Sequence, residues 1–119
     1  MHPTMKSALE HGKVVAHRGC WNLLHPENSW TALKRAADNG CAIELDVHLM
    51  KDGNVAVFHD FTLNRMCCKS GRLEELTRED VKDYKLRFSK EKIPFFDDVL
   101  KMVDGRVPIY VELKCDGNE

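Results

Sequence analysis

The 119-residue chain lacks the features that define several classes of protein. It has no excess of one charge, because 18 basic and 19 acidic residues leave a formal net charge of −1. We therefore expect neither a nucleic-acid-binding surface nor an acidic disordered tail. Its apolar runs are only a few residues long, too short to span a bilayer. The opening "MHPTMKSALEHGK" also lacks the apolar core of a secretory signal peptide.

The cysteines do not form the pattern of a disulfide framework or a zinc site. Their number is odd, the adjacent Cys67 and Cys68 do not have zinc-ligand spacing, and no C-x-x-C occurs. The remaining three are Cys20, Cys41 and Cys115. We therefore expect reduced thiols in a cytoplasmic protein of ordinary composition, 43% hydrophobic and 31% charged.

The hydrophobic pattern predicts four strands and three helices along the chain. The predicted strands are residues 13–17, 41–49, 54–60 and 107–114. The predicted helices are 27–40, capped by Asn28 or Ser29, then 76–84, with a capping box from Thr77 to Asp80, and 95–105. This order predicts an α/β fold with a largely parallel sheet.

The first predicted strand ends on unusual residues. In "VVAHRG", residues 14–19, an apolar run is followed by His17 and Arg18, and Gly19 then allows the backbone to turn sharply. One interpretation is an ordinary strand end followed by polar residues. The other is a strand that carries an acid–base group and an anion-binding group to the mouth of a site.

Two later strands carry carboxylates in the same way. In "IELDV", Glu44 and Asp46 alternate with apolar residues and so lie on one face of the strand. They form either the polar face of an antiparallel strand or an oxygen-rich site for Mg²⁺ or Ca²⁺. In "YVELK", Glu112 and Lys114 share a face, which is typical of a surface ion pair or of a further contribution to a site.

The turn "KDGN" governs where the next histidine lies. If Asp52 and Gly53 form a two-residue hairpin loop, Asp46 lies opposite His59. If the following strand instead runs parallel, the chain doubles back and again returns His59 to the level of Asp46. Both geometries bring the groups together. His48 shares the face of Asp46 but lies beyond it, and we interpret it as structural or as a residue behind the site.

These residues together indicate one kind of chemistry. Active sites of α/β sheets and barrels lie at the carboxyl ends of the strands, where all three polar pairs would meet. Three carboxylates suit a hard divalent cation, two histidines suit proton transfer near neutral pH, and Arg and Lys suit a phosphate. Phosphodiester hydrolysis requires this combination.

Five segments resemble the glycerophosphodiester phosphodiesterase family in order and spacing. They are "HRG" at 17–19, "PENS" at 26–29, "IELDV" at 43–47, "KDGNVAVFHD" at 51–60 and "VELK" at 111–114. The resemblance implies a TIM-type (β/α) barrel and the hydrolysis of glycerophosphodiesters to glycerol 3-phosphate and an alcohol. It departs mildly at Ser29, where threonine is usual, and in the bulky loop "CWNLL".

The resemblance also implies roles for individual residues. Glu44, Asp46 and Glu112 would be the metal ligands for one divalent cation, Mg²⁺ or Ca²⁺. His17 and His59 would be the catalytic acid–base pair, with the assignment of acid and base left open.

The same resemblance implies a phosphate site beside the metal. Arg18 and Lys114 would bind the phosphate, Glu27 and Asn28 would line the site, and Asp60 would lie behind it. The substrate would be a small glycerophosphodiester.

The chain is short for a whole barrel of this type. A (β/α)₈ barrel takes about 250 residues. We therefore expect residues 1–12 to be an N-terminal extension and 13–119 to be the amino-terminal part of the domain, ending after about the first four strands. Its open strand edges would favour self-association. Two alternatives are a catalytically incomplete chain that binds only metal or phosphate, and a related phospholipase-type phosphodiesterase.

Overall fold

The structure, a computed structural model, describes residues 3–4, 15–22 and 25–115. Its strands are β1 (Pro3–Thr4), β2 (Val15–His17), β3 (Ala42–Leu49), β4 (Val55–Val57) and β5 (Ile109–Leu113). Its helices are α1 (Trp30–Asp38), α2 (Asn64–Cys67), α3 (Arg78–Val81) and α4 (Phe96–Val103), with a 3-10 turn at Leu73–Glu75. Most of the predicted extension, and the first two residues of the first predicted strand, lie outside the described residues. No helix in the described ranges is long and apolar enough to cross a membrane.

Two helices begin at capping residues that the sequence predicts. The Ser29 hydroxyl accepts a hydrogen bond from the Ala32 N–H at 3.1 Å, so Ser29 rather than Asn28 caps α1. Helix α3 begins with the predicted capping box, in which Thr77 and Asp80 each bond the other's backbone N–H. The sequence did not predict α2, which is only four residues long and has no side-chain cap.

Three strands form a parallel sheet, and two pair antiparallel at its margins. β3 is central, with β2 and β5 parallel to it on opposite edges. β4 pairs antiparallel with the last part of β3, and β1 pairs antiparallel with β2. Helix α1 connects β2 to β3 and α4 precedes β5, so the predicted α/β fold with a largely parallel sheet is confirmed.

The core lies between the sheet and the helices α1 and α4. Ile43, Leu45 and Val47 of β3 are buried against Leu33 of α1 and Val99 of α4. This is the face predicted for the apolar residues of "IELDV". Glu44, Asp46 and His48 are consequently left to the other face, where the site forms.

The β3–β4 hairpin corrects one prediction. Val47 pairs with Val57, and the Phe58 N–H donates to the Asp46 carbonyl at 2.9 Å, so His59 lies one residue beyond its predicted partner. The reason is a three-residue loop, 51–53, with Gly53 at a φ of +87°, rather than a two-residue loop. The parallel alternative for β4 is wrong, and the strand ends at Val57 instead of continuing to residue 60.

A second apolar cluster supports the segment after the hairpin. Its largest fully buried members are Phe58, Leu63, Leu73, Leu86 and Val81. This cluster holds the segment between β4 and α4 against the end of β3. The position of His59 is therefore set by packing beyond the sheet.

Candidate active site

Strand register brings three carboxylates together at the carboxyl edge of the sheet. Asp46 of β3 pairs with Glu112 of β5, and His17 at the end of β2 pairs with Glu44. Oxygen atoms of Glu44, Asp46 and Glu112 all lie within 4.8 Å of one another. These are the three residues predicted as metal ligands, and the structure places them in one cluster.

The three carboxylates sit in different electrostatic surroundings. Asp46 is only 1% exposed, whereas Glu112 is 55% exposed on the outer strand. Burial and, next, the neighbouring Asp46 charge raise the pKa of Glu44. The hydrogen bond from Lys114 Nζ, 2.9 Å from Glu112 Oε2, lowers the pKa of Glu112. The cluster therefore concentrates negative charge, and water does not screen this charge well at the buried Asp46 and Glu44.

The donor set of the cluster fits a hard divalent cation. Asp46 Oδ1, Glu44 Oε1 and Asn28 Oδ1 are buried oxygen atoms that accept no hydrogen bond from the described residues. Buried acceptors without partners carry a substantial free-energy cost. Oxygen-only ligands are the preference of Mg²⁺ and Ca²⁺, so these residues fit such an ion.

Arg18 and Asn28 reach the cluster from two backbone turns. Both have positive φ, 58° and 54°, which side-chain-bearing residues rarely adopt and which is concentrated at functional sites. The Asn28 N–H donates to the Arg18 carbonyl at 2.9 Å, and Asn28 Nδ2 donates to Asp46 Oδ2 at 3.1 Å. The two ends of the connection between β2 and α1 are thus joined to each other and to the Asp46 carboxylate.

The guanidinium of Arg18 bridges two carboxylates beside the cluster. Its Nη1 donates to Glu27 Oε2 at 3.1 Å, and its Nε lies 3.5 Å from Asp46 Oδ2. Lys114 Nζ lies 3.9 Å from Asp46 Oδ1 on the other side. The two predicted phosphate-binding cations therefore flank the carboxylate cluster.

The two predicted acid–base histidines have different carboxylate partners. His17 Nε2 lies 3.4 Å from Glu44 Oε1. His59 Nδ1 lies 2.8 Å from Asp60 Oδ1, which is the position predicted for Asp60 behind the site. Because Asp60 engages Nδ1 of His59, Nε2 is the ring nitrogen that this contact leaves available.

Sequence reasoning missed Arg65, on helix α2. Its Nη1 and Nη2 donate to the Glu27 carboxylate at 3.1 and 2.9 Å, and its Nε donates to Asp60 Oδ2 at 2.8 Å. Hydrogen bonds from Arg65 lower the pKa of Asp60 to about 2. Arg65 thus joins the carboxylate that holds His59 to the one that holds Arg18. The bonds to Glu27 span 38 residues, so no local sequence pattern signals them.

The fold and this edge of the sheet define an α/β-barrel type of protein with an acidic site at the carboxyl ends of its strands. Solved structures of similar fold include a glycerophosphodiester phosphodiesterase from Agrobacterium tumefaciens, with a TM-score of 0.75 and 33% identity over 86% of this chain and 47% of that one. A phosphodiesterase from Oleispira antarctica, solved with the product sn-glycerol-3-phosphate, has a TM-score of 0.76 and 28% identity over 87% of this chain and 45% of that one. The predicted barrel class is confirmed.

Residues 17–118 match the model of the glycerophosphoryl diester phosphodiesterase family, and the chain belongs to that family. It is 40% identical to a glycerophosphodiester phosphodiesterase of Bacillus altitudinis over 86% of this chain and 45% of that protein. It is 34% identical to human glycerophosphodiester phosphodiesterase 1 over 85% of this chain and 33% of that protein. The chain therefore spans less than half the length of these relatives.

Proposed function

We propose that the chain carries the cation- and phosphate-binding part of an enzyme that hydrolyses glycerophosphodiesters to glycerol 3-phosphate and an alcohol. The observation that carries the proposal is the cluster of Glu44, Asp46 and Glu112, flanked by Arg18 and Lys114. Family membership supports the reaction class. The similar Oleispira antarctica structure, which contains sn-glycerol-3-phosphate, supports the product.

The three carboxylates would hold one divalent cation, Mg²⁺ or Ca²⁺. When bound, such an ion polarises phosphoryl oxygens and lowers the pKa of a coordinated hydroxyl or water. Asn28 holds the side chain of Asp46 in place through its amide N–H. A positive charge at the cluster would favour ionised Glu44, the carboxylate whose pKa burial raises.

Arg18 and Lys114 would bind the non-bridging phosphate oxygens. Arg18 is suited to this role because Glu27 fixes its planar guanidinium in one orientation. Arg65 keeps Glu27 in place from the other side. The phosphate would thus lie between the acidic cluster and a fixed arginine.

His17 and His59 would transfer the protons. One would deprotonate the nucleophile, a water or a neighbouring glycerol hydroxyl, and the other would protonate the departing alcohol oxygen. Asp60 orients the imidazole of His59 through Nδ1.

The test is release of glycerol 3-phosphate from glycerophosphocholine by the purified chain, with Mg²⁺ or Ca²⁺ and with EDTA. We expect turnover that EDTA abolishes. His59→Ala should lower kcat by about 10² to 10⁴, the usual contribution of an acid–base group. His25→Ala, in the turn before Pro26, is the matched control and should keep full turnover. Full turnover by His59→Ala would contradict the catalytic role of His59.

A second candidate function is binding of the cation and phosphate without turnover. It is favoured by one observation: Glu112 lies on the outermost strand β5, whose free edge has no strand partner among the described residues. The relatives also have more than twice the matched length. Saturable cation binding by a folded chain that releases no glycerol 3-phosphate would support this second function.

A further inference from the structure

We propose that His48 is a positioning residue, whose buried imidazole fixes the backbone of His59 by a hydrogen bond from Nε2 to the His59 carbonyl. The two atoms lie 3.2 Å apart. The inference rests on the proposed function, because it concerns the placement of one of its two acid–base groups.

The burial of His48 needs a physical reason. It is 0% exposed at the end of the site-facing row of β3, two residues beyond Asp46. A polar ring in such a place costs free energy unless its nitrogens are engaged. An apolar residue would fill the same space without that cost. We therefore infer that the imidazole contributes through its hydrogen bond to the His59 carbonyl.

The bond matters because the strand does not hold His59. β4 ends at Val57, and the one-residue shift of the hairpin leaves His59 beyond the last ladder pair with β3. The side chain of His59 is held by Asp60, 2.8 Å from Nδ1. Its main chain is held by His48. His59 is thus fixed at its side chain and at its main chain, and its own Nε2 is left to reach a substrate.

The ring of His48 is itself held from several sides. Phe61 packs edge-on against it, with ring centroids 5.3 Å apart and planes at 85°. Its Nδ1 lies 3.4 Å from Glu74 Oε2 without a hydrogen bond between them, and Arg72 Nη2 donates to the other oxygen of Glu74 at 3.3 Å. The Arg72 guanidinium also lies over the Phe61 ring, 5.5 Å from its centroid. The donor is therefore pre-aligned before any substrate binds.

The hydrogen bond requires a particular tautomer of His48 in the unaltered chain. A carbonyl accepts only from a protonated nitrogen, so the hydrogen bond requires the proton of the His48 ring to be on Nε2. NMR of the ¹⁵N-histidine-labelled chain distinguishes the two ring nitrogens. We expect the His48 Nε2 signal at the shift of a protonated nitrogen, with slow exchange of its proton. An unprotonated Nε2 would overturn the proposal without any variant.

A matched pair of variants tests the positioning. His48→Gln keeps an N–H donor, and His48→Met has a similar size without one. We expect His48→Met to shift or broaden the Nδ1–H signal of His59, and His48→Gln to leave it close to its original position. His25→Gln is the control and should leave that signal unchanged. Equal His59 spectra for folded His48→Met and the unaltered chain would overturn the proposal. If the variants fail to fold, the protonation of Nε2 in the unaltered chain decides.

Turnover separates this inference from the proposed function. In an active chain, His48→Met should lower kcat about tenfold to a hundredfold with little change in KM, the scale of a small misplacement of a catalytic group. His48→Gln should recover most of it. If His59→Ala keeps turnover, the catalytic role of His59 fails while the NMR result for His48 still stands. If His59→Ala loses turnover and His48→Met leaves the His59 signal unchanged, only the positioning fails.

Discussion

At the scale of single residues, Asp60 shows how the fold sets one charge at the site. Hydrogen bonds from Arg65 and, to a smaller extent, from His59 outweigh burial and lower its pKa from 3.8 to about 2. Asp60 therefore stays ionised across the physiological range. An ionised partner at Nδ1 holds the His59 ring in one orientation, as carboxylates do for functional histidines in other proteins.

This shift predicts how stability depends on acid. Because the folded-state pKa is lowered, the stabilisation by Asp60 is complete above pH 4 and is lost as the pH falls toward about 2. The loss should amount to about 2 kcal/mol in the free energy of unfolding. Urea titrations between pH 5 and pH 2 should show this loss of stability in the unaltered chain and not in Asp60→Asn. The control is Asp83→Asn, at an exposed carboxylate, which should lose stability with acid as the unaltered chain does. An acid dependence identical in Asp60→Asn would contradict the assignment.

The sequence could predict site residues that lie on strands, and it could not predict a residue whose contacts are distant along the chain. Glu44 and Asp46 follow from strand alternation, because a period of two puts such residues on one face. Glu112 was grouped with them because the carboxyl ends of neighbouring strands meet and because of the family resemblance. The sequence could not predict Arg65, because its contacts with Glu27 span 38 residues and depend on where the short helix α2 packs. Long-range polar contacts of this kind have no local periodicity to reveal them.

At the scale of elements, the turn between β2 and α1 determines how closely the site loop approaches the helix. Gly19 has a φ of +81°, and a Cβ there would lie 2.8 Å from the Ala32 carbonyl carbon and 2.9 Å from Leu33 N. Both atoms belong to the helix backbone, which cannot give way easily. Glycine therefore permits the close approach that brings Arg18 over the carboxylates.

This geometry predicts the effect of one methyl group. Gly19→Ala should reduce the free energy of unfolding by about 3 kcal/mol, from the strained φ and from overlap with helix α1. Gly40→Ala is the matched control, because its φ is +71° and nothing lies within 4 Å of the new Cβ. It should cost only about 1 kcal/mol. Urea unfolding of both variants measures the difference, and equal losses would contradict the close approach at Gly19.

Element boundaries were predictable where capping chemistry is explicit and less so at the hairpin. Ser29 and the Thr77–Asp80 box mark helix starts that the structure confirms. The "DG" signal predicted a two-residue loop, but the chain uses three residues with Gly53 in the left-handed region. Both loops fit the same local sequence, and one residue of loop length moves every cross-strand partner. Only the packing of Phe58 and its neighbours separates the two registers.

At the scale of the whole molecule, the sheet is covered by helices on its core side and open along β5. Tyr110, Val111 and Leu113 are all exposed, although the strand is apolar in sequence. Strands of parallel sheets are normally buried on both faces. The relatives are more than twice as long as the matched region.

The open strand predicts concentration-dependent self-association of the isolated chain. Unpaired strand edges with apolar side chains favour pairing with another copy, and an inserted lysine opposes it. Val111→Lys should therefore shift sedimentation-velocity profiles toward the monomer. Leu100→Lys, which replaces a similarly exposed apolar residue on helix α4, is the control and should change little. Equal profiles for the unaltered chain and Val111→Lys would contradict pairing through β5.

The most direct measurement for the account as a whole is calorimetric titration of the folded chain with Mg²⁺ and with Ca²⁺. The cluster of Glu44, Asp46 and Glu112 predicts one bound cation per chain, with affinity greatly reduced by Asp46→Asn. Glu79→Gln, at an exposed carboxylate outside the cluster, should bind as the unaltered chain does. Binding that Asp46→Asn leaves unchanged, or a folded chain that binds neither ion, would contradict the assignment of these three carboxylates as the metal site.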